Sequence, residues 1–332
     1  MAEPTLSLRY NEIADAISTF LYGVDAYAST SVAEQARTAD IIDAGYRQFL
    51  YPPAVADIEA GYEWKFLNPH TTLATSAAQT GDATTGTIDV TATICTLAGG
   101  DTWPSWAATH GILVIDSTEY AIVSRDSDVQ LTVTGDDVTA GEYDWVIEHN
   151  GDYTLPDDFG DIHDGFQHDR DSNEAPVVGP VTEARIRKLR SDNDEVAAPR
   201  VFAIRILAVG AGATSQRKEV MFWPRPDEAY TLHYTYEALA GQFAAGEYPI
   251  GTLKHMETLK ESCLAEAELV LHDQYGSHYN KFIANLKSSI SRDKKDGAKL
   301  FGYIGSANEY SNGNIGRSLN YSLTVSDVVI ES

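Results

Sequence analysis

The feature that most restricts the fold is a long stripe of apolar residues late in the chain. Between residues 250 and 295, apolar side chains recur every three or four positions, at Leu253, Met256, Leu259, Cys263, Ala267, Val270, Tyr279, Phe282, Leu286 and Ile290. This spacing predicts one amphipathic helix of roughly 40 residues, about 60 Å long. We expect Gly276 to mark a bend in it. A helix of this length needs another surface on which to bury its apolar face.

The first fifty residues can supply that surface. Two further stripes predict helices over residues 5–24 and 31–50, joined by a short loop. Ser31 and Glu34 have the spacing of a capping box, and the two prolines at 52–53 end the second helix. We therefore expect these helices and the long C-terminal helix to form a three-helix bundle.

The middle of the chain changes from a helical to an alternating pattern. In residues 80–150, short apolar–polar alternations separated by turn residues are typical of a small β-barrel or sandwich. Residues 151–199 are rich in Asp, Pro and His and predict mainly loop. Residues 200–240 predict a small antiparallel sheet. The alternation at 319–325 predicts one more strand at the end of the chain.

Together these patterns predict an α+β protein in four parts. Residues 1–79 hold the N-terminal helices and a bridge, and residues 80–150 form a β-rich insertion. Residues 151–297 hold the acidic loop, the small sheet and the long helix that completes the helical core. Residues 298–332 form an extended C-terminal docking arm.

The net charge of −25 argues against one class of function. A surface this acidic does not attract nucleic acid phosphates, so we expect no specific DNA or RNA binding. The two cysteines, Cys95 and Cys263, lie far apart, which predicts free thiols and assembly in a reducing compartment. No apolar run is long enough to span a membrane, and the N-terminus lacks the basic and apolar regions of a signal peptide.

We find no motif that predicts catalysis, and we expect neither an enzyme nor a bound cofactor. The chain has no Gly-x-Ser-x-Gly elbow and no Walker-type phosphate loop, and Cys263 lies on an apolar stripe. The densest potential metal ligands are Asp157, Asp158, Asp161, His163, Asp164, His168, Asp169 and Asp171. Their spacing matches no established metal motif, so a solvated acidic loop is the expectation and calcium the ion if one binds.

Two other groups of side chains are candidates for binding. Trp103 and Trp106 would either form an exposed sugar platform or close the end of the β-insertion, and we favour closure. Arg185, Arg187 and Arg190 form the one concentrated basic patch, which would either face nucleic acid or contact carboxylates of a neighbouring subunit. In a chain this acidic we favour the subunit contact.

Several short motifs occur in a set order between the predicted helices. They are YRQFLYPP at 46–53, TWPSWA at 102–107, GILVI at 111–115, YTLPDDF at 153–159, WPRP at 223–226 and YTLHY at 230–234. This order, followed by a long helix, resembles the head-to-tail adaptor (connector or neck) proteins of tailed bacteriophages. The similarity covers most of residues 5–295.

The resemblance implies a structural role. Such proteins have a helical bundle with a β-insertion and form a ring of about twelve subunits under the portal. The implied partners are the portal protein and a tail or tail-completion protein, with genome DNA passing through the lumen without specific binding. The implied location is the neck of the virion, after assembly in the host cytoplasm.

The arm is the remaining candidate for an interface. It has too little apolar surface to fold alone, so we expect it to dock on the portal or on a neighbouring subunit. Its anchors would be Phe301, Tyr303, Tyr310, Tyr321, Leu323 and Val325. Alternatively, its last strand folds back onto the chain's own 200–240 sheet.

Two other classes of function stay open. A virion adhesion or carbohydrate-binding protein would use the β-insertion with its two tryptophans, and a metal-dependent hydrolase would use the Asp/His run.

Overall fold

The fold combines helices with two large sheets, which confirms the predicted α+β class. The computed structural model describes residues 6–54, 61–82, 85–98, 101–134, 140–169, 177–193, 195–207, 216–251 and 253–295. The helices are α1 (Tyr10–Tyr22), α2 (Val32–Leu50), α3 (Ala107–His110), α4 (Glu183–Asp192), α5 (Met256–His272) and α6 (Ser277–Lys295).

The strands fall into two groups by position in the sequence. The first to the ninth are β1 (His70–Ala74), β2 (Gln79–Gly81), β3 (Ile88–Thr91), β4 (Ile94–Leu97), β5 (Gly111–Ile115), β6 (Thr118–Arg125), β7 (Gln130–Val133), β8 (Gly141–Tyr143) and β9 (Trp145–His149). The remainder are β10 (Asp152–Thr154), β11 (Phe159–Ile162), β12 (Phe166–His168), β13 (Val177–Pro180), β14 (Val201–Ile206), β15 (Lys218–Trp223) and β16 (Thr231–Ala238).

Helices α1, α2, α5 and α6 share one hydrophobic core, with α5 at its centre. Helix α5 packs against the other three, and Leu259 of α5 and Phe282 of α6 are buried as predicted. The backbones of α2 and α5 come unusually close at Gly45, where an added Cβ would lie 2.6 Å from Cα of Cys263. The hydroxyl of Ser262 uses this approach to donate to the Gly45 carbonyl at 2.8 Å.

The start of α2 forms the capping box that the sequence predicts. The Glu34 N–H donates to the Ser31 hydroxyl at 3.4 Å, and the Ser31 N–H donates to the Glu34 carboxylate at 2.8 Å. These bonds satisfy donors that the first helical turn leaves without an intrahelical acceptor. The hydrogen bond from the Ser31 backbone lowers the pKa of Glu34.

The prediction of one continuous helix over residues 250–295 is wrong. Helix α5 ends at His272, Asp273 adopts a left-handed backbone with φ of 55°, and α6 begins at Ser277. The buried carboxylate of Glu268 accepts three backbone N–H groups, those of Gly276 (2.9 Å), Ser277 (3.0 Å) and His278 (3.1 Å). Glu268 therefore caps α6 from the preceding helix and stabilises the reversal.

Helix α6 consequently folds back antiparallel onto α5. Near the turn, Glu261 pairs with His278 at 2.8 Å and with Lys281 at 2.5 Å. Farther from the turn, Thr258 and Ser289 share a hydrogen bond of 2.6 Å. The apolar stripe of 250–295 is thus divided between two helices that face each other and the N-terminal pair.

The first sheet, sheet A, has the strand order β1-β16-β12-β13-β14-β15-β10, with β11 also pairing with β16. The prediction of a small antiparallel sheet is wrong, because sheet A has eight strands and β13 runs parallel to β14. Half of its strands, β10 to β13, come from the part predicted as an acidic loop. Their inward residues, including Phe159 and Phe166, join the same aromatic core as the predicted strands.

The second sheet, sheet B, has the order β2-β9-β5-β6-β7-β4-β3-β8, and all its pairs are antiparallel. Its inward residues form a separate core around Trp103 and Trp145. All eight strands lie within residues 79–149. Among the described residues, no helix has the length and apolar character needed to cross a membrane.

Candidate functional site

The two sheets meet at a joint where the chain leaves sheet B and enters sheet A. Strands β9 and β10 are separated only by Asn150 and Gly151. Gly151 has φ of +83°, and an added Cβ would lie 2.9 Å from a guanidinium nitrogen of Arg190 and 3.2 Å from Cγ of Arg225. A glycine is therefore required both by the backbone conformation and by the two arginines packed against it.

A buried ion cluster lies on the sheet A side of this joint. Asp152 accepts hydrogen bonds from Arg190 at 2.8 Å and from Arg205 at 2.9 Å. Arg205 also pairs with Glu219, its cross-strand neighbour in the β14–β15 ladder, and Arg190 donates to the Phe222 carbonyl at 2.9 Å. Both carboxylates are almost completely buried, so removing either arginine would leave an uncompensated buried charge.

An ion pair and an aromatic stack connect the two sheets directly. Arg225, which follows β15 of sheet A, pairs with Glu148 of sheet B at 3.0 Å. The ring of His149 lies parallel to that of Tyr153, with centroids 4.0 Å apart and an interplanar angle of 4°. The His149 ring also contacts His110 and Trp106, with centroids 5.2 Å and 4.9 Å away.

The environment of His149 keeps its ring neutral. Burial, together with the neighbouring His110 and Arg190, lowers its pKa to about 3. Its Nδ1 accepts the N–H of Gly151 at 3.1 Å, so the proton of the neutral ring is on Nε2. Burial also lowers the pKa of His110. At neutral pH this stack is an uncharged packing element, which suits a rigid joint better than proton transfer.

Beside the joint is an open cleft of about 550 Å³. It is lined by Thr71, Thr72, Leu73, Ala74, Ser76, Ser105, Trp106, Thr109, His110, His149, Tyr153, Thr154, Leu155, Pro156 and Tyr234. These residues come from both sheets and from α3. The lining carries hydroxyl, imidazole and aromatic groups and no carboxylate or ammonium group, so it suits a neutral, partly apolar ligand or segment.

The predicted basic patch divides into an inward and an outward part. It lies on α4, which Ile186 anchors against Ala203 and Met221 of sheet A. Arg190 points into the ion cluster and pairs with Asp152 of its own chain. Arg185 and Arg187 are exposed, and Arg187 is 3.5 Å from Glu183 on the same helix.

The tryptophans do not form an exposed platform. Trp103 is buried in the core of sheet B, in edge contact with Trp145 at 4.7 Å, as predicted for closure of the insertion. Trp106 is half-buried against the His149 stack. The Trp103 ring is therefore enclosed by protein, whereas Trp106 contributes to the wall of the cleft.

The Asp/His run is used for structural contacts. Asp158 accepts the Tyr236 hydroxyl at 2.9 Å, Asp157 pairs with Arg217 at 3.3 Å, and the His168 ring lies 3.2 Å from the Pro199 carbonyl. Asp171 lies outside the described residues. Within the described ranges, no three His, Cys, Asp or Glu side chains come close enough to hold a metal ion.

Cys263 is buried in the helical core, and burial raises its pKa, so it packs as a small apolar residue. The arm residues Phe301, Tyr303, Tyr310, Tyr321, Leu323 and Val325 all lie outside the described residues, as does the strand predicted at 319–325.

No motif in the sequence predicts the joint between the two sheets. Glu148 and Asp152 have arginine partners more than 50 positions later in the chain, at Arg225 and Arg205, and the fold brings them together. One pair in the cluster could have been recognised from the sequence. Arg205 and Glu219 carry opposite charges and are directly opposite each other in the β14–β15 hairpin.

Comparison with known protein families shows where this chain belongs. The family model described as SU10 adaptor protein matches residues 89–300, more than half of the 332 residues. The match begins in β3 of sheet B, includes all of sheet A after β1, and extends beyond the end of α6. No curated protein matches the chain.

Proposed function

Because the chain belongs to the SU10 adaptor protein family, a bacteriophage head-to-tail adaptor family, we propose that it forms a ring which connects the portal to the tail and continues the DNA channel. The family match is the observation that carries this proposal. It makes the chain a structural component of the virion. The neck, where portal and tail meet, is the position we propose, with assembly in the host cytoplasm before the virion is complete.

The helical core supports a ring because it carries opposite charges on different helices. Helices α1 and α2 together hold five acidic and two basic residues, a net charge of −3. Helix α6 holds five basic residues and one acidic residue, a net charge of +4. Complementary patches at different places on one subunit favour head-to-tail contacts, and such contacts form a ring when the rotation from one subunit to the next closes.

Helix α6 is suited to this contact because its basic end is exposed. Arg292, Lys294 and Lys295 are all exposed, whereas the single acid, Asp293, is buried and accepts the Tyr62 hydroxyl at 2.7 Å. In the proposed ring this end of α6 faces α1 and α2 of the next subunit. Arg185 and Arg187 of α4 would add a second basic contact to the neighbour's carboxylates.

The charge of the whole chain supports a DNA channel. Because the chain has a net charge of −25, we propose that acidic residues outnumber basic residues on the inner wall of the ring. Such a wall repels DNA along its whole length. DNA can then slide through, since no phosphate is held at one position.

A catalytic role has no comparable support: His149 is buried and neutral, and the described residues contain no metal cluster. On the basis of the family match, we propose a structural protein without enzymatic activity or cofactor.

The experiment is a mass measurement with end-on imaging, on the purified chain alone and mixed with the cognate portal. A ring that binds portal is expected, with a central opening wide enough for duplex DNA. The matched variant K294E/K295E should assemble less readily because it removes the basic end of α6. A chain that stays monomeric and does not bind portal under any condition would refute the proposal.

A further inference from the structure

The two edge strands of sheet A border the same cleft. Within the described residues, β1 pairs only with β16 and β10 pairs only with β15, so each has one side without a strand neighbour. Yet Thr71 to Ala74 of β1 and Tyr153 to Pro156 at β10 all line the 550 Å³ cleft. Sheet A thus curls until its first and last strands approach one another with a gap between them.

The backbone of β1 presents hydrogen-bonding groups to this gap. Thr75 N–H donates to the Tyr230 carbonyl at 2.9 Å, and Tyr236 N–H donates to the Pro69 carbonyl at 3.3 Å. In an antiparallel ladder the bonded positions alternate, so residues 69, 71, 73 and 75 face β16. The N–H and C=O groups of Thr72 and Ala74 therefore point away from β16, towards the open edge.

The opposite edge has the same arrangement. Phe222 N–H donates to the Gly151 carbonyl at 2.9 Å, and Leu155 N–H donates to the Lys218 carbonyl at 3.1 Å. By the same alternation, the backbone of Thr154 points away from β15. At one end the gap is already bridged, because the Ser76 N–H donates to the Tyr153 hydroxyl at 3.1 Å. Before that point, Thr72 and Ala74 of one edge and Thr154 of the other face a common space, which is the geometry that an added strand requires.

Strand β1 also lacks the features that usually protect an exposed edge. Such edges carry charged residues, prolines or bulges that prevent pairing with other chains. The five residues of β1, His-Thr-Thr-Leu-Ala, contain no proline, lysine or acid. Its register with β16 runs without a bulge over all five positions. An edge of this kind is expected to be covered in the assembled protein.

The pattern of the C-terminal arm fits this space. Leu319, Tyr321, Leu323 and Val325 alternate with Asn320, Ser322 and Thr324. A strand between β1 and β10 would have one face towards the apolar interior, where Leu73, Tyr153 and Tyr234 lie, and the other towards solvent. The apolar set matches the first face and the polar set the second.

The length of the chain before this strand favours a neighbouring subunit. Helix α6 ends near Lys65, whose ammonium donates to the Lys294 carbonyl at 3.0 Å, and β1 begins five residues after Lys65. Five residues of chain span at most about 17 Å, and the Lys65 side chain with its hydrogen bond adds about 9 Å, so the subunit's own β1 begins within about 26 Å of the end of α6. The 24 steps from residue 295 to residue 319 reach about 80 Å when extended, about three times what a return to the subunit's own cleft requires.

We propose that residues 319–325 of one subunit add as a strand to β1 in the cleft of an adjacent subunit and join it to β10. This inference rests on the proposed ring. It identifies the acceptor of the arm as an extended peptide site rather than a side-chain pocket. Each subunit would then be linked to the next by backbone hydrogen bonds as well as by the charged helices.

The test uses full-length chains that each carry one new cysteine. One preparation has T72C at the open edge of β1, and the other has S322C in the arm. Cys95 and Cys263 are buried and do not compete. The two preparations are mixed, assembled and oxidised, and covalent dimers are quantified. The matched control replaces T72C with T118C, an exposed strand position of sheet B. We expect at least tenfold more dimer with T72C than with T118C.

Two further variants sharpen the result. Adding N320P to the S322C chain should remove the dimer, since proline disturbs strand pairing, whereas N320A should leave it unchanged. A chain with both T72C and S322C distinguishes the source of the arm. Covalent bonds between subunits are expected, and a bond formed only within one subunit would overturn the inference.

The mass of the same samples separates the two proposals. An intact ring with no more T72C dimer than T118C dimer overturns the arm site and leaves the ring proposal standing. Loss of the ring under every condition refutes the proposed function and, with it, the neighbour that this inference needs.

Discussion

Substituting Glu268 tests the feature that divides the C-terminal stripe into two helices. Glu268→Ala removes the acceptor for the N–H groups of Gly276, Ser277 and His278. These donors lie near the surface, so water can replace part of what is lost. Caps of this kind are typically worth about 0.5–2 kcal/mol, and single hydrogen bonds to charged groups about 1.5–3 kcal/mol. With three donors on one carboxylate, we expect a loss of about 2 kcal/mol in unfolding free energy.

The effect should depend on pH in a predictable direction. Burial by itself would raise the pKa of Glu268, but the backbone hydrogen bonds, led by that from Gly276, lower it below its ordinary value. A carboxyl group with a lowered folded-state pKa stabilises the fold above its unfolded pKa, and the contribution is lost as pH falls through the folded value. The difference between wild type and Glu268→Gln should therefore be constant above about pH 5 and shrink below about pH 4.

The assay is urea unfolding followed by far-UV circular dichroism, at a concentration where the chain is monomeric. Glu257→Gln, an exposed position in the first turn of α5, is the matched control for Glu268→Gln and should change stability little. A cap at Glu268 is refuted if Glu268→Ala unfolds at the same urea concentration as wild type, or if the loss of unfolding free energy does not depend on pH. Either result would mean that the reversal between α5 and α6 is fixed by packing alone.

Four other outcomes follow from the structure. Phe282→Ala should lower the unfolding free energy by about 3–5 kcal/mol, because the ring is fully buried in the helical core, and a loss near zero in urea unfolding would place it in solvent. Between about pH 6.5 and about pH 3, His149 is protonated in the unfolded chain but not in the folded one, so wild type should lose stability as the pH falls through this range. In thermal unfolding, the melting temperature of His149→Gln should therefore change less steeply with pH than that of wild type. Replacing residues 80–147 by a Gly/Ser linker should leave the helical circular dichroism signal largely intact. Loss of that signal would show that the helical core depends on sheet B for its folding. Titration with duplex DNA should show no binding at physiological salt, whereas sub-micromolar affinity would contradict an acidic channel wall and point to α4.

Local patterns in the sequence predicted local structure well. Ser31 and Glu34 are three residues apart, and their hydrogen bonds need no distant partner, so the start of α2 could be predicted from composition and spacing. Sheet B could also be predicted, because the apolar pattern changes from a helical to an alternating period, and its strands begin at Gln79 and end at His149. The pattern did not predict which residues at the end of β3 and the start of β4 are buried. The alternation from Ile88 to Ile94 continues across a turn at Ala92, where φ is 56°, so Cys95 is buried and Ile94 is exposed.

Features that depend on distant partners could not be predicted. The apolar stripe after His272 has the same period before and after the chain reverses, so periodicity alone cannot distinguish one long helix from two that face each other. The reversal depends on Glu268, whose spacing to Gly276 matches no capping motif within a single helix. Likewise Asp152 pairs with residues 38 and 53 positions away. Such a cluster has no signature until the order of the strands is known.

The position of α5 between helices from both ends of the chain has a consequence for synthesis. The Ser262 hydroxyl bonds to Gly45, a residue 217 positions earlier. At about 5–20 residues per second, α2 leaves the ribosome roughly 10–40 s before the helix that covers it. Sheet B, whose strands span residues 79–149, can form during that interval, whereas the helical core cannot close. The apolar faces of α1 and α2 are therefore exposed during most of translation, and this is the period in which we expect the nascent chain to aggregate or to need a chaperone.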